Sequence, residues 1–462
     1  MKKYILPVFL FVLLTSITEN SKAQLTNSNM TLLSQLDEHG SSYSACWGYT
    51  AYTRQPITRE YAILGCSTGT AFVDITDTAN IHEVDFLPGL TSGWREMKVY
   101  SHYAYIVSEA TGSGLQIVDL QYLPDSVHLV NTYSFSGYSR THTISQSGPY
   151  LYLNGGNYQN GGLFILDLTA SRESPVKRGQ WETFYVHDCR VLNDTIWGCN
   201  IYNPPGSISV IDATNKDNLQ TVTSWVNNPS PFPHNCAITK DRRYIFTTDE
   251  TSSPAGKLKV WNIENLSNIT FVTNWQPTGI STAIVHNVEI YGNYAVIAHY
   301  TAGIRVVNIT NPASPVEAAW YDTYPLNNNT NFAGCWGVFM FPSGKIIGSD
   351  ISGGLFVVKT TFNMTGSQNG NNSTPSKYAL KQNYPNPFNP STKIEFAVAK
   401  NSHVTLEVYD AVGRQVGSLV DEFKTAGNYS VRYDASGLAS GIYFYKLQSE
   451  GFSETKKMTL LK

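Results

Sequence analysis

Charged side chains are scarce, at 15% of 462 residues. No cluster of Lys and Arg forms a patch that could follow a polyanion, which argues against a nucleic-acid partner. Helical patterning is missing as well. No long segment repeats apolar residues at the 3.6-residue period, so a helix-based fold is excluded. The apolar run Tyr4 to Leu14 falls short of the roughly 20 residues a membrane-crossing helix needs. Familiar catalytic signatures are also lacking. There is no Gly-x-Ser-x-Gly elbow, no Gly-rich phosphate loop and no Cys-x-x-Cys, and His82-Glu83 has no second histidine three residues on.

Aromatic residues (13%), 35 glycines and alternating runs such as Tyr294-Ala295-Val296-Ile297-Ala298 point to an all-β chain with many tight turns. The body of the chain is one unit written seven times. Trp47, Trp94, His142, His187, His234, His286 and Trp336 recur at spacings of 47, 48, 45, 47, 52 and 50 residues. A period in the forties with short strand-like runs is the signature of a β-propeller, each repeat forming one four-stranded blade. A second register agrees: a glycine-led apolar run closes on Asp74, Asp119, Asp167, Asp212, Asn262 and Asn308, with Lys359 breaking the rule. A short side-chain acceptor there can bond the backbone N–H groups of the turn that follows. Trp181, Trp225, Trp275 and Trp320 mark where an outer strand finishes, and aromatic packing between blades explains them better than a sugar-stacking surface.

The two ends complete the organisation. Lys2 and Lys3, the apolar run, and Ser21-Lys22-Ala23 predict a signal peptide over residues 1–23. The seventh unit stops after three strands, near Val357-Val358, and Met30 to Leu36 is expected to supply the missing outer strand, so that no edge is left open. Residues 24–359 are therefore read as a seven-bladed propeller, and residues 360–377, rich in Asn, Gly, Ser and Thr, as a flexible linker. Residues 378–462 are read as a small β-sandwich. Cys46, Cys66, Cys189, Cys199, Cys236 and Cys335 lie in an exported body, where disulfides form. Bridges Cys46–Cys66 and Cys189–Cys199 within hairpins are one scheme, and Cys46–Cys335 across the closing blades is another.

The last segment resembles a known family. Gln382-Asn383-Tyr384-Pro385-Asn386-Pro387-Phe388-Asn389-Pro390, Val408-Tyr409-Asp410, Gly413-Arg414, Ser440-Gly441-Ile442-Tyr443-Phe444 and Lys456-Lys457-Met458 are similar to the type A C-terminal sorting domain of the type IX secretion system of Bacteroidota. The resemblance implies export through the periplasm, with the secretion machinery and its sortase as partners, and a body that is either released or attached to the cell surface. The repeats resemble LVIVD-repeat propellers, found as choice-of-anchor B domains. Val285-His286-Asn287-Val288 and Gly303-Ile304-Arg305-Val306-Val307-Asn308-Ile309 with Asn311-Pro312 carry the likeness. That family implies a surface-anchored propeller and no settled activity.

Adjacent strands run antiparallel, so strand one starts and strand two ends on the same face. His142, His187, His234 and His286, with Trp47, Trp94 and Trp336, are thus expected at one channel mouth, where a ligand could bind. Asp188, Asp249, Glu250 and His299 are expected on the same side. Imidazoles and carboxylates converging on one axis are the ingredients of a divalent-metal site, while three tryptophans in the ring favour packing or a small-ligand pocket. Two functions follow: a binding or display module at the cell surface, with polysaccharide or protein as its ligand, and, as the alternative, a metal-dependent hydrolase or lyase on the histidine-ringed face.

Overall fold

The computed structural model describes residues 26–461 except 41, 53–57, 252–253, 365–374, 376, 401 and 425. The signal peptide and much of the linker lie outside the described residues. Among those described, every regular element is a strand.

Seven antiparallel sheets precede residue 361, six of four strands and one carrying a fifth. Their first strands are Tyr43–Tyr52, Arg95–Tyr100, Thr143–Ser147, Asp188–Leu192, Pro233–Ile238, Val288–Tyr291 and Cys335–Met340. Each of these strands touches the next, and the last touches the first, so the sheets form a closed, propeller-like circuit. The strand patterns say why. Second and third strands such as Tyr103–Ser108 and Leu163–Asp167 are buried along their whole length, the signature of a strand covered on both faces. Outer strands such as His128–Tyr133 are largely exposed.

Seven hydrophobic clusters fill the seven junctions between sheets. Ile63 and Phe72 of the first sheet meet Ile106 and Val118 of the second, and the pattern repeats to Val357 and Leu355 of the seventh, which pack on Leu64 and Val73 of the first. Burying a Leu, Ile or Val side chain is worth about 1.5–3 kcal/mol, so no single junction dominates and closure of the circuit matters. Met30–Leu36 pairs antiparallel with Gly354–Thr360 from the opposite end of the repeats, with Met30 opposite Thr360. The seventh sheet thereby gains its outer strand, as the three-strand final unit predicts.

The Asp/Asn register is a turn device in all six units. Asp74, Asp119, Asp167, Asp212, Asn262 and Asn308 each accept a hydrogen bond from the backbone N–H two residues on, at 2.8–2.9 Å. Gly303 and Gly354 begin third strands at φ of +78° and +77°. A Cβ there would lie 2.3 Å from the Tyr321 carbonyl and 2.2 Å from that of Leu36, so the outer strand demands glycine twice over.

The disulfide schemes need correction: all six cysteines are free and buried. In the fourth sheet Cys189 lies opposite Gly198 and Cys199 opposite Asp188. The one-residue offset turns the two thiols to opposite faces, into different clusters. Cys46 lies opposite Leu64 and Cys66 opposite Tyr43, so those two are displaced along the hairpin rather than paired.

Residues 378–461 form a three-stranded and a four-stranded sheet sharing one core of Leu380, Phe396, Leu406, Tyr445 and Met458. Gln415–Lys424 and Phe452–Leu460 are the edge strands of the four-stranded sheet. This unit touches the body through Asp421, which accepts from Ser101 Oγ at 2.8 Å and pairs with Arg172 at 3.1 Å, and through Tyr429, over which Lys240 lies. Ser101 and Lys240 sit in turns between first and second strands, the face opposite the histidines.

Candidate functional site

Within two residues of the start of four consecutive first strands stand His142, His187, His234 and His286. Because the strands converge, the rings meet. Successive centroids are 4.2, 4.3 and 4.2 Å apart, an unbroken arc of imidazoles with Trp336 4.9 Å beyond and Trp94 6.3 Å from Trp336. They line a cavity of about 40 Å³ together with Glu250, Asp188 and Glu96. A water needs about 10–15 Å³ measured this way, so the space suits an ion or a few waters and not an organic molecule.

Hydrogen bonds orient the ends of the arc. His142 Nδ1 lies 2.7 Å from Glu109 Oε1, and its Nε2 lies 2.8 Å from His187 Nε2. His142 Nδ1–H donates to Glu109. The same bond from His142 holds Glu109 below the usual carboxylate range. At the other end His286 Nδ1–H donates to the Trp336 carbonyl at 2.5 Å, leaving Nε2 bare 3.6 Å from Glu250. His234 Nε2 is 3.7 Å from the other Glu250 oxygen. The Tyr300 hydroxyl donates to Glu250 at 2.5 Å.

Burial governs the charge states. It drives His187 and His234 well below the ordinary histidine value and His286 down to about 3, so at neutral pH these rings are uncharged. It pushes Glu250 up to about 7 against the Tyr300 hydrogen bond. Backbone groups of His234 and His286 offset a small part of the burial of the His187 and His234 rings. One ligand atom each from His187, His234 and Glu250 lie within 4.8 Å of one another. Two imidazoles and a carboxylate are the donor set of many transition-metal centres.

Of the other sequence candidates, Asp188 faces the cavity but is held one layer deeper. It accepts from Asn235 Nδ2 at 2.5 Å, and burial followed by the nearby Glu96 charge raises it to about 6. Trp47 is also deeper, in a second cavity of about 20 Å³ under Lys98, where Arg190 pairs with Glu289 at 2.7 Å. Asp249 and His299 do not line the mouth cavity. Asp249 sits within its sheet, paired with Lys259 at 2.7 Å, and His299 is buried 6.3 Å from the Trp275 ring. Both stand one residue before the side chain that reaches the site, Glu250 or Tyr300, and alternation turns them away. Tyr300 is the contributor least visible in the sequence; it merely follows the end of a second strand. The outer-strand tryptophans pack: Trp181 and Trp275 are buried, and Arg305 lies over Trp320.

Around the arc stands an exposed aromatic rim. Tyr202, 63% exposed, contacts Tyr185 and Phe232. Phe332, 54% exposed, contacts Tyr300. Trp94 is 46% exposed.

Residues 382–460 match the secretion system C-terminal sorting domain, and residues 284–323 match the LVIVD repeat. The chain thus carries a type IX sorting tail, which marks it for export through the periplasm to the cell surface or beyond. No helix among the described residues is long and apolar enough to cross a membrane. No curated protein matches the chain. Among solved structures, PorZ, an essential surface component of the type IX secretion system of Porphyromonas gingivalis, is similar at 11% identity and TM-score 0.44, covering 90% of this chain and 59% of that one. This chain therefore spans somewhat over half of that protein's length. A Lactobacillus plantarum protein is similar at 11% identity and TM-score 0.49, covering 85% of this chain and 100% of that one. A candidate 6-phosphogluconolactonase from Bacteroides uniformis is similar at 10% identity and TM-score 0.50, covering 70% of this chain and 94% of that one. At such identities the likeness concerns the fold alone.

Proposed function

We infer that this exported chain is a seven-bladed β-propeller, residues 24–359, joined by the linker 360–377 to a β-sandwich sorting domain, residues 378–462. Its body serves as a binding module at the cell surface, taking a surface polysaccharide on the histidine-ringed face. The observation that carries this reading is the rim. Trp94, Tyr202 and Phe332 expose large rings around a polar centre, on the face that the sorting unit leaves uncovered. Flat amphipathic rings beside hydrogen-bonding groups suit sugar faces, and the cavity is too small to swallow an organic ligand, so contact is made across the mouth.

The test is affinity electrophoresis of the full chain through gels containing polysaccharide purified from the surface of its native host. Retardation of the wild-type protein, weakened about tenfold (about 1.4 kcal/mol) when Trp94→Ala and Tyr202→Ala are combined, supports the reading. Equal migration of wild type and variant overturns it.

A further inference from the structure

We propose that the mouth holds one divalent transition-metal ion of the zinc class, bound by His187, His234 and Glu250, with a coordination position left open toward the aromatic rim. This deepens the reading of the mouth as a binding surface and rests on it for the ion's purpose. The site itself stands on separate observations.

The first is donor placement: one atom from each of the three residues falls within a 4.8 Å span. Zinc bonds of about 2.0–2.1 Å need the donors drawn somewhat closer, a matter of side-chain rotation in a cavity that has the room. The second is burial. His187 and His234 are 5% and 4% exposed, and backbone groups of the next unit meet each ring, holding it with Nε2 toward the arc. The third is support around the donors. Metal-binding side chains are characteristically held by a second layer of hydrogen bonds. Here Tyr300 grips Glu250, and the Trp336 carbonyl fixes His286 beside Glu250. Two imidazoles and one carboxylate favour zinc, cobalt or iron(II) over calcium and magnesium, which require more oxygen ligands. With three protein ligands the ion keeps a free position, and the open side is the rim, where a hydroxyl or carboxylate of a bound polysaccharide could complete the shell.

The experiment titrates the metal-stripped full chain with Co(II) and then with Zn(II). The expected result is one equivalent of Co(II) giving visible d–d bands, displaced by one equivalent of Zn(II). His187→Gln, His234→Gln and Glu250→Gln each should abolish the bands, and Tyr300→Phe should weaken affinity about tenfold while leaving the stoichiometry at one. Thermal melts report folding. Should any of the three ligand variants unfold, Tyr300→Phe, which leaves every proposed ligand in place, decides the matter. Substoichiometric binding, or binding unchanged in Glu250→Gln and Tyr300→Phe, overturns the site. Polysaccharide retardation measured in EDTA separates the two ideas: rim-dependent retardation without a metal leaves the binding reading standing alone, and a stoichiometric metal without retardation leaves the site standing alone.

Discussion

At the scale of single residues, His299 shows what a buried imidazole costs. It is 1% exposed, and burial, reinforced by the Arg305 charge, pushes it down to about 3 from an ordinary 6.5, outweighing hydrogen bonds to the backbone of His299 and Ile284. The folded chain keeps it neutral while the unfolded chain protonates it below about pH 6.5. Stability from this group is therefore whole above pH 6.5 and is lost as pH falls toward 3, at up to about 1.4 kcal/mol per pH unit. Replacing His299 with Gln removes that slope. Urea melts between pH 6.5 and 4 should show the variant losing less stability on acidification than the wild type, and parallel curves would contradict the assignment. Asp249, its counterpart in the preceding unit, is pushed up to about 6 by burial even though it pairs with Lys259 at 2.7 Å.

At the scale of elements, one short strand carries the closure. Met30–Leu36 covers Gly354–Thr360 and sends Met30 into the junction between the sixth and seventh sheets. Deleting residues 30–36 should uncover the unpaired edge of Gly354–Thr360 and open two of the seven junctions. The expected outcome is a body that aggregates or melts at least about 10 °C lower, since even 1 kcal/mol shifts a large domain by a few degrees. An unchanged melting curve would show that the seventh sheet needs no fourth strand. This strand was legible in the sequence because a repeat that ends one strand short demands a donor, just as the Asp/Asn turns were legible from a local hydrogen-bonding rule. The histidine arc was legible for a similar reason: the period alone aligns the first strands. What the sequence hid depends on contacts between units. Glu250 and Asp249 are neighbours, and only the pleat decides that the first meets His234 while the second meets Lys259. Cys189 and Cys199 look like a hairpin pair until the register offsets them by one residue.

At the scale of the whole molecule, the sorting unit and the mouth occupy opposite faces, and a small polar contact holds the former in place. Burial pushes Asp421 up, but hydrogen bonds from His403 and Ser101 and the charge of Arg172 outweigh it and hold the carboxyl below its ordinary 3.8. His403 lies within the sorting unit, so only the Ser101 bond and the Arg172 charge favour docking, and they do so while the carboxyl is charged and lose effect as pH falls through its lowered value. Arg172→Ala removes one partner of a half-buried pair and should loosen the unit at neutral pH, as would high salt, because the contact is partly exposed and screened. Small-angle scattering checks this: Arg172→Ala should enlarge the radius of gyration at neutral pH, while the wild type enlarges only in strong acid or high salt. A radius identical in both proteins would mean that the contact between Lys240 and Tyr429 suffices. Because Ser101, Arg172 and Lys240 all lie away from the histidines, loosening the unit should leave the mouth untouched, so Arg172→Ala should bind Co(II) as the wild type does. Export by the tail and recognition by the mouth are then separable, and the body can keep its binding face whether or not the sorting unit is removed after delivery.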